Sequence, residues 1–333
     1  MPNLDNPPPI PNPKKSKLGA IINDEPAHPG VRGTAVQLKD IQKTLPLRVL
    51  TLSDWQNWIT KGFVVLRDAV PQSMCDSVVD MLWQFQEMDP TDSSTWYKPQ
   101  LRDIQMKELN NTGMVEVYNH QSLWNTRQHP LIYDAFVDIW DREDLWVVID
   151  RANLNPPNKA ARKAGSDQGF IHFDVDVSQR PFPISVQGVL SLGKQGGEIG
   201  GFQCVPSIFQ EIDAWWEKQP PGSDPFKPDV TGHTIENIEL EAGDFLIWNS
   251  LLPHGVRPNI SSDQVRMAQY ISMYPADFDN QPVRKARIKT WAEQTHPIGI
   301  AFPGDPREFE RSNYEVAKLN PLGRKLLGLN SWD

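Results

Sequence analysis

Cysteine is nearly absent from this 333-residue chain: Cys75 and Cys204 are the only two. Two thiols cannot build a disulfide framework or a thiolate metal site, and they fit a reducing cytosol. Basic residues are in deficit, with 33 Lys and Arg against 42 Asp and Glu and a net charge of -9. That balance argues against a nucleic-acid backbone or an anionic membrane surface as the main partner and leaves small molecules as the better expectation. No apolar run reaches membrane-spanning length, and the opening MPNLDNPPPIPNPKKSK lacks the apolar core of a secretory signal. The reading is a cytoplasmic protein.

Proline and tryptophan are plentiful, at 30 and 12 residues. Proline at that frequency favours short strands and loops over long helices. Residues 1–45 are rich in Pro, Lys and Asn without a clear period and read as an extended or disordered arm. Residues 46–333 are expected to form a single domain. Ser53 offers an N-cap for a short helix, GFVVLRDAV follows as a strand, and Pro71 opens a helix with Met74, Val78, Met81, Leu82 and Phe85 on one side. A loop over 89–105 is placed to close over a site. Helical spacing returns over 123–140, LWVVID at 145–150 reads as a strand continuing through Arg151 to Asn155, and 156–169 is a long polar loop.

Beyond it, short strands and turns follow in close succession. Ile184–Leu192, a glycine-rich turn at 196–201, Phe202–Pro206, Ile235–Leu240, a turn at Ala242–Asp244 and FLIWN give the pitch of a jelly roll. The expected fold is mainly β, a double-stranded β-helix of cupin-like type, with helices packed outside and the tail from Arg284 wrapping the barrel.

Of seven histidines, His28, His129, His233 and His296 read as ordinary surface or hydrogen-bonded residues. His172 and His254 differ, because each sits at the edge of an apolar strand. Asp174 lies two residues from His172, and alternate side chains of an extended strand leave by the same face. Two imidazoles and one carboxylate can occupy one face of an octahedral ion and leave the opposite positions free, the set used by non-haem Fe(II) oxygenases. Arg266 lies in a run too apolar for an exposed strand, RMAQYISMY, and a buried guanidinium offers the paired donors a carboxylate takes best.

Over roughly residues 62–275 the sequence resembles the phytanoyl-CoA dioxygenase-like family of Fe(II)/2-oxoglutarate-dependent oxygenases. The residues that carry the resemblance are GFVVLRDAVP before a helix, HFD at 172–174, Gly200-Gly201-Phe-Gln-Cys-Val-Pro-Ser, Ala-Gly-Asp at 242–244, and HGVRPN from His254. It implies that His172, Asp174 and His254 bind iron and that Arg266 binds the far carboxylate of 2-oxoglutarate. The implied reaction couples oxidative decarboxylation of 2-oxoglutarate by O2, giving succinate and CO2, to removal of hydrogen from a substrate carbon. Related halogenases lack the carboxylate ligand, so Asp174 favours hydroxylation. The chain departs from the family's Asn-Gly at Ile199-Gly200 and from its Gly-Ser-His at Ser207-Ile208-Phe209.

Gln187 stands where many relatives carry tryptophan; its parity turns it inward, toward 2-oxoglutarate or into a plain sheet hydrogen bond. Arg151, Asn153 and Asn155 alternate on one strand face and are substrate candidates, as is Trp248 as a wall. Lys159, Arg162, Lys163 and Arg180 would suit an anionic substrate if folded over the site. The competing reading is a cupin-like isomerase or hydrolase that uses the metal without 2-oxoglutarate.

Overall fold

The computed structural model describes residues 38–39, 41–97, 106, 109, 112–165, 169–298 and 302–332. Most of the N-terminal arm, residues 98–105 of the expected covering loop, and 166–168 of the polar loop therefore lie outside the described residues.

Two antiparallel sheets face each other. The larger has the strand order β1-β7-β4-β9-β3, from β1 (Phe63–Leu66), β3 (Ala152–Asn155), β4 (Val186–Ser191), β7 (Phe245–Asn249) and β9 (Arg266–Tyr270). The smaller has the order β6-β5-β8, from β5 (Gly201–Cys204), β6 (Glu236–Asn237) and β8 (His254–Arg257), and His172 adds a single bridge to His254 at its edge. From β3 onward the chain crosses between sheets: large, the His172 bridge, large at β4, small at β5 and β6, large at β7, small at β8, large at β9. That path is a jelly roll. A separate pair joins β2 (Leu145–Val147) to β10 (Met273–Pro275).

Side-chain parity fixes which face of the large sheet is inward. Phe245 packs edge-on against Phe136, and Gln269 donates to the Leu123 carbonyl at 3.1 Å, so these residues face outer helices. Their neighbours Leu246, Trp248, Ala268 and Tyr270 face the other way, and Trp248 meets Phe202 of the small sheet at 4.9 Å.

The outer helices form for local reasons. α1 (Leu52–Lys61) is capped by Thr51, not Ser53: the Thr51 hydroxyl accepts from Asp54 N while the Asp54 carboxylate accepts from Thr51 N. It ends at Gly62, φ +78°, where a Cβ would lie 2.8 Å from the Phe209 ring. α2 (Gln72–Gln86) follows Pro71 and buries Cys75, Val78, Met81, Leu82 and Phe85. The helical stretch expected over 123–140 is two helices, α3 (Gln121–Arg127) and α4 (Pro130–Trp140), because Pro130 has no N–H to continue the first and instead starts the second.

The strand expected from 145 through 155 also divides: β2 and β3 belong to different sheets, with Arg151 between them. The polar loop holds a short helix, α5 (Lys159–Ala164), capped by Asn158. Of the expected strand at 235–240, Glu236–Asn237 pairs with β5 and Leu240 adds a single bridge to Gln195. Two short helices, α6 (Pro206–Gln210) and α7 (Ile212–Glu217), follow β5, and after the barrel come α8 (Gln281–Glu293), α9 (Phe309–Asn313) and α10 (Pro321–Leu327).

Candidate metal centre

The segment at His172 and β8 are held together by reciprocal main-chain bonds: His172 N donates to His254 O at 2.8 Å and His254 N to His172 O at 3.0 Å. Gly255 is what lets the incoming chain lie so close, since a Cβ there would sit 1.8 Å from the Phe170 carbonyl oxygen. The glycine after His254 is thus a requirement of backbone approach. His172 occupies an isolated bridge, and Asp174 lies in the bend after it, so the pair does not ride on a regular strand as the spacing suggested. The side chains converge all the same.

His172 Nε2 is 3.3 Å from Asp174 Oδ1, and His254 Nε2 is 3.3 Å from Asp174 Oδ2. One ligand atom from each of the three residues falls within 4.8 Å of the others, the arrangement that could hold a metal ion. Asp174 and His254 are buried and His172 is half-buried. His254 Nδ1 lies 2.9 Å from the Leu252 carbonyl, which can only accept, so Nδ1 carries the proton and Nε2 presents its lone pair inward. Burial lowers the His254 pKa and keeps the ring neutral. Burial works against the Asp174 carboxylate, but His254 and His172 beside it bring its pKa below the usual range. Neutral imidazole and ionised carboxylate are the protonation states a divalent cation requires.

Aromatic rings flank the two imidazoles. Phe202 stacks on His254 at 5.4 Å, Trp248 lies 5.1 Å from the same ring, and Phe170 stacks on His172 at 5.0 Å. Phe170 and Phe202 carried no distinctive sequence signal, since an aromatic on a strand is usually core.

The remaining candidates separate by position. Gln187 of β4 faces inward, opposite Trp248 in register, and its Nε2 donates to Asp174 Oδ2. Arg266 is buried, and its Nη1 reaches from the large sheet to the Arg257 carbonyl on β8 at 2.7 Å, so the guanidinium lies between the sheets. Asn153 faces the same interior and donates to Tyr270 Oη at 3.3 Å. Arg151 is buried against Glu116, Nη1 to Oε1 at 3.0 Å. Among the loop cations, Arg180 pairs with Asp213 at 3.1 Å, Arg162 donates to the Ser261 carbonyl at 3.4 Å, and Lys159 stands over the Tyr97 ring at 3.5 Å. His120 caps α3, and His233 bonds Ser207. Among the described residues the triad is the only cluster of its kind.

A jelly roll that brings two imidazoles and a carboxylate to one point between its sheets, with a buried guanidinium alongside, defines a class of metal-centred barrel proteins. Residues 58–268 match the family model described as phytanoyl-CoA dioxygenase, and the chain belongs to that family. A Dictyostelium discoideum protein named "Putative phytanoyl-CoA dioxygenase" is 24% identical over 314 residues, covering 81% of this chain and 84% of that one. "Ava biosynthesis cluster protein O" of Aspergillus versicolor is 24% identical over 249 residues, covering 68% and 78%. Among solved structures, a hypothetical protein of Escherichia coli superposes with TM-score 0.58 at 16% identity, covering 84% of this chain and 81% of its own. GlcNAc Inducible Gene 2 of Candida albicans gives TM-score 0.57 at 13% identity, covering 84% and 76%. At these identities the structural likeness speaks for the fold alone.

Proposed function

We propose that this protein is an Fe(II)/2-oxoglutarate-dependent dioxygenase that hydroxylates a C–H bond of a small organic molecule. The observation that carries the reading is the convergence of His172, Asp174 and His254 within 4.8 Å on one side of the barrel interior, with Arg266 buried between the same two sheets. A three-ligand set leaves coordination positions for cosubstrate and O2, and a desolvated guanidinium suits the far carboxylate of a dicarboxylate. The overall reaction is R–H + 2-oxoglutarate + O2 → R–OH + succinate + CO2.

Bound Fe(II) supplies the redox chemistry that activates O2. The chain's own groups do the rest. The Leu252 carbonyl fixes the His254 tautomer, and Gln187 holds one oxygen of Asp174 by its amide, which restrains the carboxylate's rotation. Phe202 and Trp248 keep bulk water from His254, and the dry surroundings strengthen the charge interactions of the site. Of the loop cations nominated for an anionic substrate, Arg180 pairs with Asp213, Arg162 donates to the Ser261 carbonyl and Lys159 stands over the Tyr97 ring, which favours a substrate whose reacting part is uncharged.

We also place the protein in the cytoplasm as one barrel domain. Both cysteines are buried free thiols, and no helix among the described residues is long and apolar enough to cross a membrane.

The test is succinate formation from 2-oxoglutarate with Fe(II) and O2 across a metabolite library. Turnover is expected to rise with one substrate class, to vanish in Asp174→Ala, and to need far more 2-oxoglutarate in Arg266→Ala. Tight metal binding without any 2-oxoglutarate binding would overturn the reading and favour an isomerase or hydrolase.

A further inference from the structure

Trp248 of β7 brings an indole to the candidate metal centre. It stands opposite Gln187 in register, on the face that looks into the barrel, and its ring lies 5.1 Å from the His254 ring and 4.9 Å from Phe202. An indole nitrogen can only donate. The residue is 3% exposed, so bulk water does not take that proton, and among the described residues no acceptor completes a hydrogen bond to Nε1. A buried donor in that state is costly unless something within its reach accepts.

Asp174 is within reach. Burial raises the pKa of this carboxyl, His254 and His172 lower it, and the Trp248 N–H acts in the same direction as the imidazoles. Each oxygen of the carboxylate faces an imidazole, Oδ1 toward His172 Nε2 and Oδ2 toward His254 Nε2, both at 3.3 Å. Gln187 Nε2 donates to Oδ2 from β4. The imidazoles thus approach from the small sheet and its edge, while two N–H groups approach from adjacent strands of the large sheet. A cation held by the imidazoles and one carboxylate oxygen leaves the other oxygen with lone pairs to satisfy, and an ionised oxygen takes N–H donors more strongly than a neutral one.

We propose that Trp248 is a positioning residue of the metal centre: its indole N–H donates to the Asp174 oxygen that the cation leaves free and, with the Gln187 amide, fixes the rotation of the carboxylate. The assignment rests on the reading of the triad as a metal centre. It moves Trp248 from a substrate wall to a support of a metal ligand, and it requires the indole nitrogen rather than the bulk of the ring.

Two replacements separate nitrogen from bulk. Trp248→Phe removes the N–H together with part of the ring, whereas β-(3-benzothienyl)alanine placed at position 248 keeps the bicyclic shape and puts sulfur where the N–H was. Fe(II) affinity, read without oxygen by competition with a chelator, is expected to fall about tenfold in both, the scale on which a partner of a metal ligand acts. The second readout is the indole proton itself. In protein labelled with 15N-tryptophan the Trp248 signal is the one lost in Trp248→Phe, and loading with Zn(II) is expected to move it downfield and slow its exchange with water, as a hydrogen bond to a carboxylate does. A benzothienyl variant that binds Fe(II) as the wild type does, or an indole signal that Zn(II) leaves in place, would overturn the assignment. A wild type that holds neither metal would instead overturn the reading of the triad, a result distinct from a wild type that holds metal while loss of the N–H costs nothing.

Discussion

Two regions of this molecule bury charged side chains, and they resolve the cost in opposite ways. Where 116–119 meets the segment from 302 to 310, every acid has donors. Glu116 accepts from Arg151 at 3.0 Å, from Gly304 N at 3.1 Å and from the Tyr118 hydroxyl. Glu310 accepts from Tyr118 N at 2.7 Å and from Asn119 N. Arg127 donates to the Tyr118 carbonyl at 2.6 Å, and Phe302 packs over Arg151.

At the barrel centre the composition is different. Asp174 lies between the Nε2 atoms of His172 and His254, 3.3 Å from each, and the Gln187 amide donates to it. The first cluster is complete within the protein. The second gathers electron pairs with no cation of the chain between them, and burial of that kind costs several kcal/mol unless an ion is held there. The lesson is that burial and charge alone do not mark a site; the absence of a matching donor does.

Four changes would break or sharpen this contrast. The largest effect is expected at the centre: His172→Ala, Asp174→Ala or His254→Ala should each lower Fe(II) affinity by at least about a hundredfold and bring succinate formation to background, as read by metal analysis after dialysis and by product assay. Metal retention at wild-type level in all three would end the distinction between the clusters.

In the closed cluster, Glu116→Ala removes the nearer of the two acids beside buried Arg151, leaving Asp150 at 3.6 Å, and should cost about 3 kcal/mol in urea unfolding. The paired change Glu116→Leu with Arg151→Met should recover most of that loss, since both charges go together. A double variant as unstable as the single one would show that the pair does more than cancel charge.

Third is pH. Burial raises Glu310 from its ordinary value to about 7, against the two backbone donors that lower it. Between about pH 4.5 and 7 the folded chain therefore holds a proton that the unfolded chain has shed, so stability should fall as pH rises through that window, by about 3 kcal/mol in all. Glu310→Gln should flatten the slope in a denaturation series from pH 4.5 to 7.5; an unchanged slope would assign it to another group. The smallest effect is at the Gln187 amide, where Gln187→Leu should weaken the metal about tenfold without a change of fold, measured by competition with a chelator.

The legibility of the chain followed the range of the interactions involved. α2 could be read because its buried residues recur at three and four positions, and β9 because an arginine in an otherwise apolar strand is costly unless buried with purpose. Thr51 displaced Ser53 as the helix cap because its hydroxyl and the Asp54 carboxylate close a reciprocal pair of bonds that starts the helix at Leu52. The division of 123–140 by Pro130 was written in the sequence but masked by continuous apolar spacing. Glu116 gave no local signal at all, since its partners Arg151 and Gly304 come from distant segments.

By itself the sequence determined the residue types and the two chain segments that carry the candidate metal ligands, because donor chemistry is a local property. Only the tertiary structure decided that His172 and His254 are hydrogen-bonded neighbours, that Gln187 rests on Asp174, and that Arg151 is matched by Glu116 while Arg266 faces the interior. Those outcomes depend on which strands cross between sheets and which glycines allow backbones to touch, and no window of neighbouring residues contains that information.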